Sequence, residues 1–456
     1  MIVRQLAALA VLLVGAARAD AQRRVVPAPS TPRRAHVVPR AKAPVVRAVP
    51  APAREVPPAA ATGPGSQLTV TLITFGIGEA VWERFGHNAL WIHDAGSGQD
   101  VAYNWGVFAF DAPDFYKRFL VGDPRYWMEG EDAYAMISAY HNAGRPITLQ
   151  TLNLTPAQAL ALRDFVERNA LEENKYYRYD YFRDNCSTRL RDALDRVLTG
   201  ALRRATDTIQ TTLTYRGESV RLTEGDVPVQ TGIEIALGRG ADTPLTAWES
   251  FFIPMRLRDA ARVVTIPGTD GARVPLVASE RVMSPSSGTS RIVEPRSAPD
   301  HTKRNLFAGL AAAVVLLLFR SLPRSQRWAT WIVGILGMVW SLLCGALGLV
   351  LLLAWVATKH VFWAQNENLL LLSPLSLLLV VLVPLALLAG RAVGRTRLVA
   401  GIVAGLGLLA LALALLPGGQ PNLDIVALFL PMHLALAAAL FLYLPRQARA
   451  KQAPKG

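Results

Sequence analysis

The chain has 456 residues, two cysteines and a formal net charge of +14. Two cysteines are too few for a disulfide framework, and no metal-ligand spacing, phosphate-binding loop or dinucleotide glycine pattern occurs. The sequence is therefore read with no metal and no cofactor.

In chain order, Arg4, an apolar run over 6–14 and the small-residue site Ala17-Arg18-Ala19 form a secretory signal over 1–21. Its core is too short to span a bilayer, and cleavage after Ala19 or Ala21 fits equally. Residues 22–66 are rich in Pro, Ala and Arg, with eight basic residues against the single acid Glu55, which supplies half of the net charge. Such a segment cannot build a core and reads as an extended linker. Outside the cytoplasm its charge suits anionic lipid or wall polymers, and nucleic acid is not the expected partner.

Residues 67–290 have the composition of a soluble domain. Residues 68–75 alternate like a strand, 85–92 form a second strand-like run containing His87, and 94–99 read as a hairpin turn before a third strand over 100–106. Thr155-Pro156-Ala157-Gln158 combines an N-cap, a proline at the first helical position and a capping-box glutamine, so a helix runs to about residue 169. Thr246-Ala247-Trp248-Glu249 repeats that logic. Helices gathered after paired strands predict an α+β fold.

Cys186 lies at the start of a further helix, since Leu190, Ala193, Leu194 and Val197 recur at helical spacing, with Asp184 or Asn185 as N-cap. Cys344 falls in an apolar run over 332–356, so Cys186 has no disulfide partner in an exported chain. A free thiol at a helix N-terminus, where unpaired N–H groups favour a thiolate, is a candidate nucleophile with an expected pKa below the free value of about 8.5. The bland alternative is a small buried apolar residue. Of seven histidines, His87 is the candidate base, opening its strand behind Gly86. The hairpin brings Asn104 or Tyr103 beside it. Asn104 is the choice to orient the imidazole, although a one-residue register change would exchange the two. Asn185, Ser187, Tyr181 and Tyr103 are the candidate substrate contacts, the aromatic cluster around 176–182 reading equally well as core.

The order Gly86-His87, then Tyr103-Asn104-Trp105-Gly106, then Asn185-Cys186-Ser187-Thr188-Arg189 resembles papain-like hydrolases with permuted topology, in which the histidine strand precedes the cysteine helix. With Leu152-Asn153-Leu154-Thr155-Pro156 and the run Tyr179 to Arg189, it more closely resembles the Lnb N-terminal periplasmic domain family of bacterial envelope proteins. Asn366-Glu367-Asn368-Leu369-Leu370 with Pro374 is similar to the motif of that family's membrane half. The resemblance runs from about residue 68 onward and implies a permuted papain-like, NlpC-type or lecithin-retinol-acyltransferase-like, Cys186/His87 arrangement.

After a linker over 291–304, five apolar segments at about 306–322, 331–356, 369–389, 398–416 and 425–444 predict an all-α five-helix transmembrane bundle over 305–445, followed by a basic tail over 446–456. If all five span, Arg320, Arg324, Arg327, Arg391, Arg395, Arg397 and the tail share the cytoplasmic side. The soluble domain then lies in the periplasm with Lys359, His360, Asn366 and Asn368. These loop residues form a candidate polar site at the bundle mouth, to bind a headgroup, dock the soluble domain or cap helices. The expected function is a cysteine hydrolase or acyltransferase anchored in the bacterial inner membrane, acting on an amide or ester of an envelope polymer, lipoprotein or lipid. The alternative is a non-catalytic envelope scaffold or chaperone. Inner-membrane lipids are the other expected partner.

Overall fold

Alternating apolar residues build seven of the nine described strands of the soluble half into one antiparallel sheet. The structure is a computed structural model that describes residues 63–268, 272–284, 293–322 and 326–443; the signal segment, nearly all of the basic linker, Arg324 and the basic tail lie outside the described residues. Strands β1 (Leu68–Phe75), β2 (His87–Asp94) and β3 (Gln99–Val107) are followed by α1 (Phe115–Leu120), β4 (Arg125–Asp132), α2 (Ala133–Asn142), β5 (Ile147–Leu152), α3 (Pro156–Asn169) and β6 (Tyr176–Arg178). Next come α4 (Cys186–Val197), α5 (Ala201–Thr206), α6 (Tyr215–Leu222), α7 (Val227–Ala236), α8 (Ala247–Ser250), α9 (Pro254–Val263), a short ribbon of β7 (Thr265–Pro267) with β8 (Arg273–Pro275), and β9 (Val277–Met283). The seven-stranded sheet has the order β6-β4-β3-β2-β1-β5-β9.

The two faces of the sheet bury different helices, as a period of two requires. Leu72, Leu90, Tyr103 and Trp105 pack with Leu162 and Val166 of α3 and Leu190, Ala193 and Leu194 of α4. Ile73, Phe75, Ala89 and Ala102 pack on the other face with Ala133, Met136 and Ile137 of α2. The register pairs Phe75 with His87 and Leu90 with Tyr103. This puts His87 and Asn104 on the α2 face and Tyr103 on the α3/α4 face.

The apolar half continues with α10 (Thr302–Ser321), α11 (Arg327–Ala357), α12 (Asn368–Leu371), α13 (Ser376–Leu388), α14 (Val393–Ala414) and α15 (Leu423–Tyr443). Among the described residues five helical stretches are long and apolar enough to cross a membrane, α12 and α13 together making the third. That third stretch is interrupted around Pro374, whose ring removes a donor and blocks the preceding turn. The fourth begins at Val393, earlier than its apolar run, because Arg395 and Arg397 are carried inside its first turns. Arg397 Nε there donates to the Leu440 carbonyl of α15 at 3.2 Å.

Candidate functional site

Cys186 opens α4, and Asn185 is the residue that caps it. Asn185 Oδ1 accepts from the Ser187 and Thr188 N–H groups at 2.9 and 3.0 Å, and Thr188 Oγ1 accepts from the Asn185 N–H at 2.8 Å. This capping box satisfies the helix's first donors and fixes where the thiol emerges. Asp184 instead pairs with Arg189 at 2.5 Å.

Gly106 lets α4 approach the sheet. It sits in a β-bulge between Trp105 and Val107, at φ +92°, and a Cβ there would stand 3.4 Å from the Cβ of Cys186. A left-handed backbone and a close contact coincide at this position, which suits glycine.

His87 Nε2 and Asn104 Oδ1 are 3.2 Å apart. The amide is oriented by its other end, since Asn104 Nδ2 donates to Glu131 Oε1 at 3.3 Å and to the Glu129 carbonyl at 3.5 Å. Both of those are acceptors, so Oδ1 must accept from the ring. His87 then carries its proton on Nε2, and Nδ1 keeps the lone pair of a base. The same strand start acts on Cys186, since the Asn88 N–H is among the groups that favour its thiolate.

Burial sets the electrostatics against the simple expectation. Desolvation pushes the Cys186 thiol up to about 11, although the Asn88, Ser187 and Cys186 N–H groups and the Arg145 charge pull it down. The expected depression at the helix start is therefore corrected: dipole and donors act, but loss of water outweighs them. Desolvation, and then Arg145, lower His87 to about 4, with the Asn104 hydrogen bond opposing. Thiol and imidazole are both neutral at rest.

Two neighbours escaped the sequence reading. The Tyr140 ring lies parallel to His87 at a centroid distance of 6.1 Å and stacks on Phe75 at 3.8 Å. Arg145, 4% exposed, lies over the Tyr140 ring at 4.6 Å and donates from Nε to the Gly76 carbonyl at 2.9 Å. Neither stands in a motif. Each is brought to the His87 end of the sheet by the pairing of β5 with β1.

The candidate substrate contacts are placed less openly than expected. Asn185 is buried, and its Nδ2 donates to the Tyr181 and Phe252 carbonyls at 3.0 and 2.9 Å. Ser187 is also buried and donates to the Phe251 carbonyl at 2.5 Å. Tyr103 belongs to the core beneath α3 and α4. These three shape the fold around Cys186. Tyr181 packs outward, with its ring 6.5 Å from His360 and 6.3 Å from Phe362 of the membrane half.

The loop polar residues join the two halves. Asn366 Nδ2 donates to the Ile235 and Ala236 carbonyls at 2.8 and 3.0 Å, and Asn368 Nδ2 to those of Glu234 and Ile235 at 2.9 and 3.1 Å. These are the carbonyls that a helix C-terminus leaves unpaired, here that of α7. Gly238 permits the approach, since a Cβ there would overlap the Ala364 carbonyl oxygen at 2.0 Å. His360 contacts α1 through its Nε2 and the Phe119 carbonyl at 3.1 Å.

Glu234 of α7 titrates within this junction. Burial first, and then the hydrogen bond and charge of Asp424 on α15, push it up to about 9, while Arg216 and Arg304 oppose. An unfolded glutamate ionises near 4.3. The folded value is the higher one, so this group's stabilisation is complete below about pH 4 and is lost as pH rises toward 9. Thermal unfolding of the full chain in nanodiscs should show the melting point falling between pH 5 and 9. Glu234→Gln should flatten that slope; an unchanged slope would assign the dependence to other groups.

With the geometry in place, residues 57–216 match the family described as the Lnb N-terminal periplasmic domain. The chain carries a Lnb N-terminal periplasmic domain. The match takes in His87, Asn104, Tyr140, Arg145 and Cys186 and ends before α7 and the membrane helices. Comparison with curated proteins and with solved structures found no match. The Lnb N-terminal domain and the five apolar helices make this a membrane-anchored envelope protein with a periplasmic domain.

Proposed function

We propose that the Lnb N-terminal domain is a cysteine hydrolase or acyltransferase of permuted papain-like type, acting on an amide or ester of an envelope peptide, lipoprotein or lipid. The observation that supports this reading is the oriented His87–Asn104 pair, 3.2 Å apart, at the strand start whose Asn88 N–H, with Arg145, favours the Cys186 thiolate. Sγ of Cys186 adds to the substrate carbonyl carbon as its proton passes to His87 Nδ1. The carbonyl π electrons move to oxygen, and the Cys186 N–H, which lies outside the capping box, takes up that oxyanion. As the tetrahedral species collapses, the C–N or C–O bond breaks and His87 protonates the leaving group. A thioester remains on Cys186. Water, or an amine or alcohol, attacks it and releases the thiol. Because both groups rest neutral, the proton moves in step with carbon–sulfur bond formation.

Incubating the full chain with envelope membranes and recording its intact mass tests this directly. The expected result is an added acyl group on Cys186 that hydroxylamine at neutral pH removes; no adduct under any loading would count against covalent catalysis.

The neutral resting pair and the inward bonding of Asn185 and Ser187 favour a second reading, a membrane-anchored scaffold or chaperone in which Cys186 is packing. In both readings the soluble domain faces the periplasm from the inner membrane and the C-terminus is cytoplasmic. The docking of loop residues 359–368 on the soluble domain supports this orientation. Reporters fused after Gln365 should register periplasmic and those after Arg395 cytoplasmic, and the inverse pattern would remove one span.

A further inference from the structure

Six large side chains form one exposed apolar surface on the soluble half: Trp82, Phe110, Tyr116, Phe119, Leu120 and Val121, each 41–56% exposed. They are held as a rigid aromatic layer. Trp82 meets Phe110 edge-on at 5.6 Å, Phe110 meets Phe115 at 5.4 Å, and Phe115 stacks along α1 on Phe119 at 6.2 Å. A soluble domain rarely leaves a contiguous apolar patch of this kind uncovered.

The attachment of α1 says what covers it. The Lys359 N–H donates to the Val121 carbonyl at 2.8 Å, His360 Nε2 bonds the Phe119 carbonyl, and Lys359 Nζ pairs with Asp123 at 3.2 Å. Gly122, at φ +71°, is pressed so close that a Cβ would stand 2.8 Å from the His360 nitrogen. Lys359 lies two residues beyond the end of α11 at Ala357, so α1 is clamped at the depth where that span leaves the bilayer.

The depth follows from α11 itself. Trp331 and Trp355 are both exposed on this helix. At 1.5 Å per residue they stand roughly 36 Å apart, a little more than the hydrocarbon core of about 30 Å, as two interfacial aromatic belts would. The exposed Trp355, Val356 and Val361 flank Lys359 and His360, which bond the carbonyls of the exposed Val121 and Phe119. The lipid-facing surface of the bundle continues onto α1.

We propose that α1 and the segment before it, with Trp82, are seated in the outer headgroup layer of the same bilayer that the five helices cross. Lys117, exposed on α1, can reach lipid phosphates, while Asp111 and Asp114 stand at the rim toward water. Tyr126 connects the layer inward, packing on Phe108 at 5.0 Å and on Tyr179 at 4.2 Å. The seating fixes the soluble domain's tilt on the membrane. It requires no catalytic role for Cys186.

Nitroxide labels at Tyr116→Cys and Phe119→Cys test the seating in a full-length chain with Cys186 and Cys344 replaced by alanine, held in nanodiscs of phosphatidylethanolamine and phosphatidylglycerol. A label at Ser97→Cys, in the exposed turn at the other end of the sheet, is the aqueous reference. The expected result is an oxygen-to-nickel-chelate accessibility ratio several-fold higher at both α1 positions than at the reference. Equal ratios at all three positions would overturn the proposal. So would exclusion of both reagents at 116 and 119, which would mean that protein covers the patch. All three labelled positions are exposed, so folding is preserved, and hydrogen exchange across α15 verifies it in each chain.

Discussion

Cys186→Ala and His87→Ala are each expected to abolish acyl-adduct formation and the envelope activity of the full chain, by at least about 10³-fold, and the double variant to be no worse. The reason is the shared step. Without the Nδ1 lone pair of His87, a thiol held near 11 keeps its proton, and without the thiol the base has nothing to activate. Cys186→Ser keeps the shape and the helix start yet replaces sulfur with a hydroxyl harder to deprotonate, so it should fold normally and be equally inactive. Asn104→Ala should cost less, because Asn104 acts only by holding the ring through Nε2. Complementation assays with matched protein levels measure all five. Full complementation by a normally expressed Cys186→Ala chain would hand the protein to the scaffold reading. In that case Cys186→Ser should lower stability by roughly 1–3 kcal/mol through a buried polar group, and lose function only through abundance.

Asn368→Ala is expected to loosen the junction between the two halves by about 3 kcal/mol. Asn368 is fully buried, donates to the Glu234 and Ile235 carbonyls, and accepts from Asn422 Nδ2 at 2.7 Å. Truncation takes this partner from the Glu234 carbonyl and the Asn422 amide away from water, at about 1–3 kcal/mol for each orphaned group, while Asn366 still serves the Ile235 carbonyl. Hydrogen exchange of the full chain in nanodiscs should show α7 losing protection while the sheet keeps its own. His360→Ala removes a hydrogen bond that is open to solvent and should shift the same readout by less than about 1 kcal/mol. Unchanged exchange at α7 in Asn368→Ala would mean that other contacts hold the halves together.

Local chemistry accounts for what the sequence alone determined. Hydrophobic alternation marked β1, the Thr155/Gln158 capping box marked α3, and uninterrupted apolar length marked the spans, because each depends on residues within one or two turns of one another. The expected helix start at Cys186 has the same origin in the Asn185/Thr188 box. The α+β domain ahead of five apolar helices was legible on those grounds, while the Lnb N-terminal domain was legible only as a resemblance carried by motifs such as Tyr103-Asn104-Trp105-Gly106 and the run Tyr179 to Arg189.

The tertiary structure decided everything that depends on distant chain segments meeting. Whether Asn104 or Tyr103 faces His87 turned on the register of β2 with β3, which local sequence leaves open. Tyr140 and Arg145 joined the His87 end only when β5 paired with β1. The thiol's upward shift reflects water excluded by the whole fold, a nonlocal quantity against which the helix start supplies only a few donors. Asn366 and Asn368 read as a polar site at a bundle mouth, because their carbonyl partners on α7 lie about 130 residues away and a helix C-terminus advertises its unpaired acceptors only in three dimensions.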